Sequence, residues 1–203
     1  MILTINPQNP QPRLIARVVE VLADGGVVAY PTDTVYGLGC DMFNKRAIKR
    51  VHQIKRQPES KPFSFICPDL KELSQYARVT NYAYKTLRRL LPGPYTFVLE
   101  GSREVPKMML TRRKTAGIRV PDHPIPIALA QGLGHPLLST SASDEQGHML
   151  VHAWEVEDLL GNQLDLIVDG GPVPGKPSSV ISLVDDTPEI LREGAGPVEE
   201  FRS

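Results

Sequence analysis

The sequence predicts one α/β domain built on a mixed sheet with flanking helices. Three observations carry that prediction. Strand-length apolar runs interleave with stretches of helical period from one end of the chain to the other. Glycine and proline stand at nearly every junction between them. No shift in composition marks a linker, so the 203 residues read as a single unit with a sizeable core.

Residues 1–5 are an apolar strand candidate. Asn9 and Pro10 look like a helix start; Leu14, Ile15, Val18, Val19 and Leu22 follow at helical spacing, and Gly25-Gly26 ends the helix. Val27-Val28-Ala29-Tyr30 reads as a buried strand, stopped by Pro31, which has no N–H to give to a ladder. Thr32, Asp33, Thr34 and Tyr36 then form a polar loop, with Gly37 and Gly39 available for a tight turn or a close approach to a ligand. Asn44 is placed to cap a second helix that presents Ala47, Ile48, Val51 and Ile54 on one face. Residues 63–67 are a strand, 69–74 a short helix and 81–91 a longer helix broken at Pro92. Strands at 95–99 and 115–120 flank a helical turn at 104–110. Residues 122–132 are a helix opened by Pro124 and ended by Gly132 and Gly134. A short strand at 136–138 runs into the hydroxyl cluster Ser139-Thr140-Ser141-Ala142-Ser143. Residues 144–150 are polar and predicted to be mobile, 154–160 are helical, and 164–168, 178–184 and 189–192 are strands.

Composition excludes several classes. Hydrophobic residues make up 41% and charged residues 23%, ordinary for a soluble globular protein. Lys+Arg and Asp+Glu are both 23, which implies no wholesale polyanion-binding surface but leaves room for a local basic cleft. Cys40 and Cys67 have no metal-ligand spacing and suit a reduced, cytoplasmic setting as small buried hydrophobes. The early prolines argue against a signal peptide, and no apolar run is long enough to cross a bilayer, so no membrane partner is expected.

Three features can carry chemistry. Hydroxyls stand at strand ends: Thr32 and Thr34, Ser139 and Ser141, Ser178 and Ser179. Cations stand at loop positions: Lys55, Arg56, Lys61, Arg119, Lys176 and Arg192. Glycine-rich turns lie beside both. Singly, each is more often a cap, a turn or a surface charge. Together they describe a cleft for a ligand with phosphates or a carboxylate, because arginine binds such groups bidentately and hydroxyls complete the shell. Gly170 and Gly175-Lys176 have P-loop spacing, but Pro177 stands where Ser or Thr should hold Mg²⁺, and a strand, not a helix, follows. A Walker-type NTPase is therefore rejected. His148 and His152 are four apart, yet no third metal ligand lies nearby. No GxSxG elbow is present, which leaves a hydrolase triad unsupported.

These residues also carry a pattern. The stretch Tyr30-Pro31-Thr32-Asp33-Thr34-Val35-Tyr36-Gly37-Leu38-Gly39-Cys40-Asp41 resembles the signature loop of the YrdC/YciO family, the threonylcarbamoyl-AMP synthase group. So do Ile54-Lys55 through Lys61-Pro62-Phe63, Gly117-Ile118-Arg119-Val120-Pro121-Asp122-His123-Pro124, Leu138-Ser139-Thr140-Ser141-Ala142, Ser178-Ser179-Val180-Ile181 and Ile190-Leu191-Arg192-Glu193-Gly194. The match covers nearly the whole chain in order. The resemblance implies a YrdC/RibB-like fold: a twisted, open, mixed sheet with a concave basic cleft. It implies condensation of threonine, bicarbonate and ATP to threonylcarbamoyl-AMP and pyrophosphate, for the t⁶A modification of tRNA, with Mg²⁺ expected only because ATP phosphates usually bring it. By position, Thr34 and Arg119 would hold a threonine-like substrate, with Ser139 and Ser179 along the same pocket. Lys55, Lys61, Thr115, Ser141 and Arg192 would contact ATP, and Lys55 and Ser141 would act in catalysis.

Two positions depart from the pattern of active members, a Lys-x-Arg and a Ser-x-Asn. Here they read Lys55-Arg56-Gln57 and Ser141-Ala142-Ser143, and Ile66 stands at the usual pocket histidine. These changes resemble the YciO branch. The first functional expectation is thus a weak or altered synthase. The alternative is a protein that binds double-stranded RNA, tRNA or rRNA through the basic face without this chemistry, and a third is a nucleotide sensor.

Overall fold

The computed structural model describes residues 1–58, 60 and 63–202. Its elements run β1 (Ile2–Thr4), α1 (Pro12–Ala23), β2 (Val28–Tyr30), β3 (Gly37–Asp41), α2 (Lys45–Ile54), β4 (Ser64–Ile66), α3 (Leu70–Tyr76), α4 (Asn81–Leu90), β5 (Tyr95–Glu100), β6 (Thr115–Arg119), α5 (Pro124–Leu133), β7 (Leu137–Ser141), α6 (Ala153–Leu160), β8 (Leu166–Asp169), β9 (Ser179–Ser182) and β10 (Glu189–Arg192). Among the described residues these strands form one ten-stranded open sheet in the order β1-β8-β2-β3-β7-β4-β6-β5-β9-β10. The β1–β8, β2–β8, β4–β6 and β5–β9 pairs are parallel and the others antiparallel, so the sheet is mixed as the sequence predicts.

Helix starts follow from local chemistry. The side chains of Asn44, Asp69 and Thr80 accept from Ala47 N (3.0 Å), Glu72 N (2.7 Å) and Ala83 N (3.1 Å), each satisfying a first-turn donor that has no partner within its helix. Pro12 and Pro124 fill first-turn positions where a missing N–H costs nothing. Gly134, at φ +74°, closes α5 in the left-handed region.

Side-chain alternation divides the sheet into two faces. On one, Ala29, Leu38, Cys40, Phe65, Phe97, Ile118, Leu138 and Ile181 share a core with α2, α3, α4 and α6. On the other, Val28, Tyr30, Ile66, Leu137, Leu166 and Val168 pack under α1 and α5. Those two helices cover only part of their face. Beyond them the same side of β3, β7, β4, β6, β5 and β9 carries Gly37, Gly39, Ser139, Ser141, Ser64, Gly117, Thr96, Val98 and Val180. Small residues at successive strands leave a hollow, and that hollow is the cleft.

The structure departs from the sequence reading in three places. The predicted loop through Gly39 is a hairpin: Gly37 and Gly39 lie within β3, paired antiparallel with β2. Their lack of side chains admits the Tyr30 ring rather than a turn, since a Cβ on Gly37 would sit 2.9 Å from that ring. The strand predicted at 136–138 extends to Ser141, so the hydroxyls sit on its body. The first helix begins at Pro12 rather than Asn9. Residues 144–148 form a hydrogen-bonded turn in which Asp144 Oδ1 accepts from Gln146 N and His148 N at 2.9 and 2.8 Å.

Candidate active-site cleft

The uncovered part of the sheet bounds a cavity of about 400 Å³. One wall comes from the β2–β3 turn and the end of β6. Thr32 Oγ1 organises the turn, donating to Val35 O at 2.6 Å and accepting from Thr34 N at 3.1 Å. Arg119 Nη2 donates to Asp33 Oδ1 at 2.9 Å and to Thr34 Oγ1 at 3.1 Å. Asp33 Oδ2 accepts from Asp122 N at 3.1 Å, so the carboxylate ties β6, the turn and the approach to α5 together. Both charged side chains are nearly buried, at 8% and 10% exposure. Burial lowers the Arg119 pKa while Asp33 and the Tyr30 ring oppose the shift; the guanidinium stays charged. Its Nε is buried with no hydrogen-bond partner among the described residues.

The opposite wall is basic. Lys55 caps α2, and the chain leaves the helix through a Schellman motif: Gln57 N bonds His52 O and Arg56 N bonds Gln53 O, both at 3.0 Å. Arg56 takes the left-handed position, φ +48°, usually given to glycine. This motif sorts the three residues. Lys55 and Gln57 line the cleft, whereas Arg56 leaves it and pairs with exposed Glu145 at 2.7 Å. Lys55 Nζ donates to Ser141 O at 2.9 Å and to Ser143 Oγ at 2.6 Å. Across the floor, Arg192 donates from Nε and Nη2 to Ser178 O at 3.0 and 2.8 Å. A register shift between Ile190 and Arg192 re-aims that side chain. Arg119 and Arg192 both line this one cavity, and burial, then the charge of Arg119, lowers the Arg192 pKa. Among the described residues that line it, none is a carboxylate.

With this geometry in place, comparison identifies the chain. The Sua5_yciO_yrdC family model, described as telomere recombination, matches residues 20–194. The chain belongs to the Sua5/YciO/YrdC family. It is 44% identical to YciO of Escherichia coli, with 97% of each chain covered, and the crystal structure of that protein superposes with a TM-score of 0.93 over 100% of this chain and 99% of that one. It is 38% identical to the threonylcarbamoyl-AMP synthase of Vibrio vulnificus over 77% of this chain and 86% of the relative. The crystal structure of P. abyssi Sua5 complexed with L-threonine is 29% identical with a TM-score of 0.92, covering 98% of this chain and 59% of that one.

The structure brings Lys55, Arg119, Ser139, Ser141 and Arg192 to the cavity, together with Gln57 and Ser143, the two positions that depart from the active-member pattern. Thr34 stands behind the wall, fully buried, its hydroxyl held by Arg119 and Thr32 and its carbonyl by Gly175 N at 2.8 Å. Two predicted contacts are turned elsewhere. Ser179 Oγ donates to Gly196 O at 2.5 Å and accepts from Gly194 N at 2.9 Å, so it fastens β9 to the segment after β10, and neighbouring Ser178 lines the cleft instead. Thr115 Oγ1 shares a 2.7 Å hydrogen bond with Thr111 Oγ1, and Thr111 is the one that reaches the cavity. Lys61 lies outside the described residues. Sequence reasoning missed Ser64, Thr96, Thr111 and Val180; the period-2 spacing of Thr96 and Val98 was the available signal. Ile66 is buried beneath α1 and α5. His148 pairs with Asp144 and His152 stacks on Trp154.

Among the described residues, no cluster of His, Cys, Asp and Glu is arranged for a metal. A divalent ion in the cleft would therefore depend on the phosphates of a ligand, not on protein carboxylates. No helix among these residues is long and apolar enough to cross a membrane.

Proposed function

We propose that the cleft performs an ATP-dependent nucleotidyl transfer onto a threonine-like amino acid, the threonylcarbamoyl-AMP synthase reaction run slowly. One observation carries this reading. A single cavity with no carboxylate among the described residues that line it joins an arginine held for a carboxylate, Arg119, to a basic, hydroxyl-rich end suited to phosphates, made by Lys55, Ser141, Ser178 and Arg192. The likeness to a named synthase and to a threonine-bound Sua5 supports it.

In this reading the substrate carboxylate sits at Arg119, with Thr34 steadying the guanidinium and Ser139 alongside. The neutral amine takes up CO₂ derived from bicarbonate as a carbamate; its N–H proton and the hydroxyl lost by bicarbonate leave as water. A carbamate oxygen then attacks the α-phosphorus, a P–O bond to the β-phosphate breaks, and pyrophosphate leaves. Lys55 and Arg192 offset the charge that builds on the phosphoryl oxygens, Ser141 and Lys61 add contacts to the nucleotide, and Thr115 acts through Thr111. Catalysis here is positioning and electrostatics, with no covalent protein intermediate. Gln57 presents a neutral amide where active members present a guanidinium. Loss of one phosphate-directed donor of this kind costs about 10²–10³ in rate, which accounts for a slow reaction. Pyrophosphate release that requires ATP, threonine and bicarbonate together, and that disappears in Arg119→Ala and Lys55→Ala, is the expected result. Unchanged release in both variants contradicts the reading.

A second reading is favoured by one feature of the rim. Exposed Arg112, Arg113 and Lys114 directly follow Thr111 of the cleft wall, a placement that suits a polyanion such as structured RNA lying across the mouth. Affinity for such RNA that fails to fall with salt removes this reading.

A further inference from the structure

Tyr30 is fully buried on β2, yet its hydroxyl reaches a cleft residue two strands away. In the ladder Tyr30 stands opposite Gly37, and Ser139 of β7 stands opposite Gly39. To reach Ser139 the phenol must cross β3 diagonally, and β3 offers glycine at both positions it passes. A Cβ on Gly37 would lie 2.9 Å from Tyr30 Cε2; one on Gly39 would lie 2.7 Å from Oη and 2.8 Å from Cε1. Neither glycine has a positive φ, so the crossing ring, not backbone conformation, is what demands them.

Tyr30 Oη donates to Ser139 Oγ at 2.8 Å. The direction is forced. Burial drives the phenol pKa far above its usual value, so the proton stays on, and no other described residue accepts it. Reversing the bond would bury an unsatisfied O–H. Ser139 Oγ therefore accepts from Tyr30 and keeps its own proton, which no described residue takes up. Ser139 and Arg119 both line the same cavity.

From this relay we infer that Tyr30 is a positioning residue that anchors the Ser139 hydroxyl and favours it as a hydrogen-bond donor into the cleft, and so favours ligands that present a free carboxylate there over the corresponding carboxamide. The inference rests on the reading of this end of the cleft as an amino-acid site. A carboxylate has an oxygen for Arg119 and another for Ser139. A carboxamide has one oxygen for two donors, and its NH₂ then faces a donor. A serine free of Tyr30 has both lone pairs for that NH₂; donation from Tyr30 occupies one of them and polarises the remaining O–H toward donation.

The test is calorimetric binding of L-threonine, L-threoninamide and ATP to the wild-type protein, Tyr30→Phe, Ser139→Ala and the double variant. Phenylalanine keeps the ring and removes only the hydroxyl. The expected result is a fall of about tenfold in the threonine-to-threoninamide affinity ratio, the size of one hydrogen bond, with ATP affinity unchanged. Ser139→Ala should show the same fall, and the double variant should add nothing to it. A merely structural role for Tyr30 would weaken all three ligands alike. An unchanged ratio in Tyr30→Phe, or falls that add in the double variant, overturns the inference. If Tyr30→Phe does not fold, an unchanged ratio in Ser139→Ala overturns it alone. Wild-type protein that binds no threonine refutes the underlying reading and this inference together, and that outcome is seen before any variant is made.

Discussion

Removal of Asp33 is the sharpest test of how the cleft is held. Arg119 is charged and nearly buried, and among the described residues its one carboxylate counter-ion is Asp33, at 2.9 Å. Asp33→Ala leaves it with the Thr34 hydroxyl at 3.1 Å and a buried Nε that already has no partner. Breaking a buried pair by deleting one member costs about 3–5 kcal/mol, because the surviving charge stays desolvated. The bond from Asp122 N is lost too, but that group is near solvent and water can replace the carboxylate. For a chain of this size each 1 kcal/mol moves the melting midpoint by about 2–4 °C, so Asp33→Ala should lower Tm by about 6–20 °C. Asp33→Asn keeps an oxygen for Nη2 and loses the charge, so its loss should be about half as large. The assay is urea denaturation at neutral pH, read as a shift in midpoint at constant m. A loss below about 1 kcal/mol in Asp33→Ala, the range of an exposed pair, would refute the claim that this carboxylate compensates a buried cation.

Other consequences can be checked together. Arg56→Gly relieves a left-handed residue at the end of α2 by up to about 1 kcal/mol and forfeits an exposed ion pair worth about 0–1 kcal/mol; thermal melts should show stability unchanged or slightly raised, with turnover unchanged, since Arg56 faces away from the cleft. His123 accepts from Ile125 N through Nδ1 at the start of α5, and burial, opposed by Asp33 and Asp122, lowers its pKa below the ordinary 6.5. Its unfolded form therefore binds a proton that the folded form resists, so stability is full above about pH 6.5 and declines as pH falls below it. His123→Asn, which keeps a capping oxygen, should flatten that decline in urea midpoints measured between pH 5.5 and 7.5; an identical decline assigns it to another group.

Much of this architecture was legible in the chain. The cap at Asn44 and the proline start of α5 at Pro124 are local signals, and local physics decides them. The β3 strand was not legible, because two glycines give a stretch low strand propensity whatever it pairs with. Their purpose is visible only once Tyr30 is seen crossing them. Arg119, Lys55 and Ser141 could be named from their neighbours in sequence. The choice of Ser178 over Ser179 could not, since it turns on which side of β9 faces the hollow and on a bond to Gly196 from beyond β10. Thr111 escaped notice for a similar reason: it reaches the cavity from a loop and takes Thr115 as its partner. Arg192 carried the right charge, but its aim comes from a bulge that no spacing reveals. The departure at Gln57 was plain in the sequence. The sequence also implied that Arg56, one residue early, would point away from its neighbours' face, and the Schellman motif supplies the physical reason.

The central claim is that this cleft holds the parts for threonylcarbamoyl-AMP synthesis and is slowed by Gln57 and Ser143. Pyrophosphate release with ATP, threonine and bicarbonate, compared between the wild-type protein and Gln57→Arg/Ser143→Asn, tests it most directly. Both side chains line the cavity beside Lys55. The account predicts a rate at least about tenfold higher in the double variant, up to about 10²–10³ if the restored donors act fully, and still dependent on all three substrates. A double variant that folds, binds ATP and releases pyrophosphate no faster than the wild type would contradict it.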